Sequence, residues 1–186
     1  MNSSPSTPAR SAFTLMELLI VIAIIGILMS LLFPAANSAI DAAKKAQAKN
    51  DVVQIATAVI AYETEYGRLP DTNGSAQDVS GNWLAALGGT NAGSLNPRQI
   101  VFIEQPTAKG NPPKKGVSGG TWYDPWGAKY RIAFDDNYDN TIASAGDSKG
   151  ITASSLRKKV AVWNDVSGMA NTTDAQKKRR AVVSWE

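Results

Sequence analysis

A chain of 186 residues with 44% hydrophobic and 19% charged residues suits one globular domain with an appendage and excludes wholesale disorder. The formal net charge of +3 is too small to argue for nucleic acid by itself. Cysteine and histidine are both absent, which removes disulfides, thiolate metal sites, the usual zinc ligand and every Ser-His or Cys-His catalytic pair. A non-catalytic protein is expected.

Residues 1–12, MNSSPSTPARSA, are polar and carry one charged side chain, Arg10. Residues 13–33, FTLMELLIVIAIIGILMSLLF, carry one charge, Glu17. As a helix this run spans about 30 Å, enough to cross the hydrocarbon core of a bilayer. A cleaved secretory signal has a shorter apolar run with a small-residue cut site after it. Here the run passes directly into helix-forming sequence, so it reads as an anchor. Orientation stays open on charge alone: Arg10 favours a cytoplasmic start, whereas Lys44, Lys45 and Lys49 beyond the span oppose it. An acid inside a membrane helix points to function and calls for a partner. No cation lies within the span, and the simplest partner for Glu17 is an amine created by cleavage just upstream.

From Pro34 the pattern turns amphipathic. Val52, Ile55, Val59, Tyr62 and Tyr66 recur at spacings of 3 and 4, one face of a helix. Gly67 suits the C-terminal cap and Pro70 blocks continuation. The helix is expected from about residue 14 to residue 66, roughly 80 Å. Pro34 removes the hydrogen bond to the Ser30 carbonyl and predicts a kink, with Gly26 a second weak point; alternatively Pro34 opens a new helix at its first turn.

Residues 68–128 are rich in Gly, Pro, Asn and Ser. Within them, 80–87 reads as a short helix ended by Gly88-Gly89, 99–104 as a strand or a helical turn, and 111–120 as loop. Strands are expected at 129–134, with Tyr130, Ile132 and Phe134 on one side, and at 159–163 and 181–185, with 141–143 a weak partner across residues 135–140. Such strands form an antiparallel sheet that buries the stripe of the long helix. The fold class is therefore α+β, and the tryptophans are expected in its core. Asp135, Asn137 and Asp139 place oxygens at alternating positions, like the start of an EF-hand calcium loop. The Gly and bidentate Glu that complete such a loop are missing, and an Asp/Asn-rich turn is the simpler reading.

The segment Ala12-Phe13-Thr14-Leu15-Met16-Glu17-Leu18-Leu19 resembles the processing site of type IV prepilins and type II secretion pseudopilins. Those have a short polar leader, a small residue before the cut, Phe after it and Glu as fifth residue of the mature chain. Counting Phe13 as first makes Glu17 the fifth and places Pro34 twenty-second, where many pilins carry proline. The family favours Gly before the cut; this chain has Ala12. The resemblance implies that prepilin peptidase cuts between Ala12 and Phe13 and methylates the Phe13 amine, which then pairs with Glu17 in the assembled filament. It implies a leader (1–12), a transmembrane and filament-core helix (13–33), the amphipathic half of that helix (34–67) and a periplasmic globular α+β domain (68–186). Implied partners are copies of the chain and other pilin-like subunits, prepilin peptidase, an inner-membrane assembly platform and the bilayer.

Asp124-Pro125-Trp126-Gly127 with Lys129-Tyr130 resembles the DPWGxPY segment of major pseudopilins, and YETEYGRLP (62–70) resembles their helix end. Those proteins bind calcium in the loop that corresponds to residues 164–180. Their acidic residues just before the last strand are replaced here by Lys177-Lys178-Arg179-Arg180, with Asp165 and Asp174 the acids remaining nearby. No other cofactor is implied. The alternative is a pilin of a DNA-uptake or adhesion/motility pilus, binding DNA or surfaces through its basic globular domain. The basic run is short and lacks interleaved aromatics, as a solvated face does, so nucleic acid is not the expected partner. An enzyme would need converging carboxylates, and the dense ones, Asp124, Asp135, Asp136 and Asp139, fit turn chemistry.

Overall fold

The first described element, α1 (Leu15–Tyr66), runs unbroken past Gly26 and Pro34. The computed structural model describes residues 13–71, 73–143, 145–146, 152–153, 155–169 and 172–185, without the side chains of Leu31, Pro34, Ala35, Thr152 and Ala153. Gly67, at φ 68°, ends α1 as a left-handed cap, its N–H donating to the Glu63 carbonyl at 2.8 Å. The chain divides into two compact units, Met1–Ile40 and Asp41–Glu186, with the boundary inside α1.

In the first unit, the large apolar side chains described between residues 13 and 33 are all exposed, none below 47%. They point in every direction around the helix, so no single face is available to a water-side core. Among the described residues no helix is long and apolar enough to cross a membrane; within this run, Leu31 stands outside the described side chains.

The second unit is built on the expected stripe. Val52, Ile55, Val59 and Tyr62 are fully buried, and Tyr66 packs against the same core. Each of the aliphatic three contributes about 1.5–3 kcal/mol by leaving water. The opposing surface is an antiparallel sheet of β1 (Gln77–Asp78), β4 (Tyr130–Phe134) and β7 (Val160–Asn164), in the order β1-β4-β7. Its register sets Tyr130 opposite Asn164, Ile132 opposite Val162 and Phe134 opposite Val160. Tyr130, Ile132, Phe134, Val160 and Val162 join the α1 cluster. The alternate positions Ala133, Ala161 and Trp163 enter a second cluster with Ile142, Ala145 and Val183. Both faces of the sheet are thus covered, which is why the two strands are buried throughout except at Arg131.

The helix expected at 80–87 is α2 (Asn82–Leu87), which buries Trp83, Leu84, Ala86 and Leu87. Of the five tryptophans, Trp83, Trp122 and Trp163 are in the core, and Trp126 and Trp185 pack at its edge. Several local expectations need correction. Residues 111–120 are not all loop: β2 (Gly116–Ser118) pairs with β3 (Thr121–Tyr123), and Gly119 and Gly120 turn the hairpin with φ of 56° and 73°. Residues 99–104 are neither strand nor helix; Gln99 has φ 51° and Val101 makes a single bridge to Gly88.

Residues 141–143 do not pair with β4. Ile142 exchanges backbone bonds with Leu156 instead, beside β5 (Ala145–Gly146) and β6 (Thr152–Ala153). The segment 181–185 lies along β7 but is not a strand. Val162 N–H donates to the Ser184 hydroxyl at 2.9 Å and Val182 N–H to Asn164 Oδ1 at 2.9 Å, so side chains take places that a backbone ladder would fill. Before it comes a helix read from sequence only as loop, α3 (Asp174–Arg180).

Candidate functional site

At the N-terminal end, Ala12 lies outside the described residues, and Phe13 is 80% exposed. Thr14 and Glu17 form a reciprocal cap at the start of α1. The Glu17 carboxylate accepts from Thr14 N–H at 2.9 Å and from the Thr14 hydroxyl at 2.8 Å, while Thr14 Oγ1 accepts from Glu17 N–H at 3.2 Å. This is a capping box, and a carboxylate there also meets the positive end of the helix. The sequence signal for this cap is Thr-x-x-Glu ahead of an apolar run. Glu17 therefore has local donors before any cleavage creates an amine. Gly26 and Pro34 lie within the unbroken helix.

Asp135, Asn137 and Asp139 are brought together in one turn, and their oxygens are occupied by it. Asp135 is 1% exposed and accepts from Asp139 N–H at 3.1 Å and Asn140 N–H at 2.7 Å. Asp139 accepts from Thr141 N–H at 2.7 Å and from the Asn137 amide at 2.9 Å. Tyr138 and Asn140, with φ of 57° and 62°, redirect the chain. The arrangement is that of stacked Asx turns. Among the described residues no group of three or more His, Cys, Asp or Glu is placed to hold a metal ion.

The richest polar site pairs Asp124, read from the sequence as turn chemistry, with Asn164, a partner that no sequence signal pointed to. Asp124 and Asn164 are both buried and hydrogen-bonded to each other at 2.9 Å, from Asn164 Nδ2 to Asp124 Oδ2. Asp124 Oδ1 accepts from Trp126 N–H and Ala128 N–H, each at 2.8 Å. Burial pushes the Asp124 carboxyl above its ordinary value, against the opposing pull of these donors. Asp51, on α1, is likewise raised by burial and accepts from the Tyr130 hydroxyl at 2.8 Å.

The C-terminal loop closes around this site. A 3-10 turn, Val166–Gly168, is capped by Asp165, whose side chain accepts from Ser167 N–H. Helix α3 begins with a second capping box, Thr173 with Gln176. Lys177 Nζ donates to the Ser167 carbonyl at 3.1 Å. Arg180 reaches Asp41 Oδ2 at 3.2 Å, and its guanidinium carbon lies 5.5 Å from the centre of the Trp126 ring. Trp126 Nε1 donates to Asp41 at 3.3 Å, and this bond foremost holds the Asp41 carboxyl below its usual value. Of the basic run, then, Lys177 and Arg180 are engaged within the domain, and Lys178 and Arg179 are exposed.

Residues 8–33 match the prokaryotic N-terminal methylation motif. The chain is similar to type II secretion system core protein G of Pseudomonas aeruginosa, 31% identical over 66% of this chain and 72% of that protein. It is also similar to type II secretion system core protein G of Dickeya chrysanthemi, 28% identical over 66% of this chain and 67% of that protein. No solved structure matches it significantly. The N-terminal segment with its apolar helix and the α+β domain thus meet in one assignment: the chain belongs to the type II secretion system core protein G family of pseudopilins.

Proposed function

We propose that the chain is a structural, non-catalytic subunit of a type II secretion pseudopilus that polymerises through its N-terminal helix. The observation that carries this reading is that the large apolar side chains described between residues 13 and 33 are exposed on every side of the helix, with Glu17 the one charged residue in that run. Such a surface is stable only in lipid or against other apolar helices. In the reading, it first anchors the chain as a single pass in the inner membrane with the globular domain in the periplasm. It then leaves the bilayer to pack beside other copies and other pilin-like subunits on an inner-membrane assembly platform.

Prepilin peptidase removes residues 1–12 by cutting between Ala12 and Phe13, and methylates the Phe13 amine. The Thr14 cap holds the Glu17 carboxylate at the helix start, one turn from that amine. In the filament, Glu17 then meets the Phe13 amine of a neighbouring copy, which neutralises both charges away from water and sets the axial register. Gly26 and Pro34, the weakest helix formers in the segment, mark where α1 stretches on polymerisation.

N-terminal sequencing and intact mass of the protein recovered from membranes test the first steps together. The expected chain begins at Phe13 and carries one added methyl group. A chain that keeps its first twelve residues overturns the reading.

A further inference from the structure

We propose that the C-terminal loop of this chain takes no calcium and is closed by its own cations, with Lys177 and Arg180 supplying from within the polypeptide the positive charge that a divalent ion supplies to such a loop. The inference goes beyond the filament reading and does not depend on it.

Calcium requires six to eight oxygen ligands, several of them carboxylates. Around residues 164–180 several of the described side-chain and backbone oxygens are already engaged. Asp165 accepts from the N–H and the hydroxyl of Ser167. Asn164 Oδ1 accepts from Val182 N–H at 2.9 Å. The Arg180 carbonyl accepts from Asn164 Nδ2 at 3.1 Å. The Asp124 carboxylate is divided between two backbone N–H groups and Asn164. The Ser167 carbonyl is the kind of loop oxygen that a bound cation draws on, and it holds the Lys177 ammonium at 3.1 Å instead. An incoming cation would have to displace that ammonium, against like-charge repulsion from a helix whose last turn is basic throughout.

The local sequence supports the replacement. Thr173 and Gln176 start a helix where a metal-binding loop would need an irregular backbone. Asp174 in the first turn and the basic residues in the last complement its dipole. The helix delivers Arg180 to Asp41 of α1 and to the face of Trp126, which follows β3. One side chain thereby ties the C-terminal segment, the long helix and the loop after β3, as a multidentate ion would. Lys49 adds a second tie from α1, to the Val183 carbonyl at 2.7 Å.

The test is thermal unfolding of the full-length chain in detergent, followed by tryptophan fluorescence, in millimolar calcium and in EGTA at matched ionic strength. The expected midpoints are the same in both. Replacing both cations, Lys177→Gln with Arg180→Gln, is expected to shift the midpoint down, and Arg180→Lys alone to shift it by less than Arg180→Gln. A rise in the midpoint of the unaltered chain with calcium overturns the proposal, as does an unchanged midpoint in the double variant. Should the double variant fail to fold, the calcium response of the unaltered chain decides.

Discussion

The carboxamide of Asn164, at the end of β7, donates to the carboxylate of Asp124, after β3, at 2.9 Å in a site that water does not reach. This pair joins three segments that are distant in the chain. Asp124 shapes the turn through Trp126 and Ala128, and Asn164 fastens the C-terminal segment through Arg180 and Val182. Every polar atom of the two side chains faces a complementary partner, the condition under which a buried polar network stabilises a fold.

Asp124→Asn is the sharpest test of that pair. Its Oδ1 still accepts from Trp126 and Ala128, but an amide nitrogen now faces the Asn164 amide nitrogen. Two donors meet in a buried site, a loss of about 1–3 kcal/mol. Urea unfolding midpoints of the two proteins measure it. Equal midpoints would show that the pair is dispensable.

Asp51 makes a contribution to the pH dependence of stability whose sign follows from its burial. Its carboxyl is raised by burial above the ordinary value of 3.8. The folded state therefore binds a proton more readily than the unfolded state. The stabilisation linked to this group is full below about 3.8 and is lost as pH rises through the raised folded value. Asp41, held low by its Trp126 bond, works the other way and loses its contribution as pH falls. Asp51→Asn removes the first trend alone and leaves an acceptor for the Tyr130 hydroxyl. As pH rises from about 3.8 through the raised folded value, the wild type should lose ground against this variant in denaturant midpoints. A pH-independent difference would contradict the assignment.

Much of the architecture was legible because periodicity reports burial. The stripe from Val52 to Tyr66 and the alternation Tyr130, Ile132, Phe134 face each other across the main core. What the pattern did not carry was side-chain chemistry acting on backbone. Residues 181–185 have a strand's composition, yet Ser184 and Asn164 intercept the ladder. Residues 174–180 are strongly polar, and only the capping box Thr173-x-x-Gln176 announces their helix. The same signal stands at Thr14 and Glu17, where the carboxylate is also an acid in an apolar run. The Asp124–Asn164 pair spans forty residues of sequence and no local spacing points to it.

Replacing Glu17 separates its helix cap from the proposed pairing with the Phe13 amine. On the proposed reading, Glu17→Val or Glu17→Ala should leave the protein in the membrane, since the apolar run is lengthened, and most of the filament should be lost. Glu17→Gln keeps an acceptor for the Thr14 N–H and hydroxyl but carries no charge. If pairing with the Phe13 amine matters, Gln fails as Val does in filament yield and secretion. Normal filaments from the Gln variant would reduce Glu17 to a helix cap.

Removing the apolar half of α1 should release the domain intact. A chain beginning at Asn37 keeps all of unit Asp41–Glu186, and the buried residues of its main core start at Ala48. The Asp41–Arg180 pair and the stripe from Val52 onward are preserved, while the uncovered surface between residues 13 and 33 is gone. No contact of the main core is removed, so the unfolding free energy should match that of the full chain's globular domain within about 1 kcal/mol. Light scattering on the purified fragment should report a soluble monomer, because the surface that called for lipid or for neighbouring helices is no longer present. Filaments that persist in this fragment would locate assembly in the globular domain and make the apolar helix dispensable.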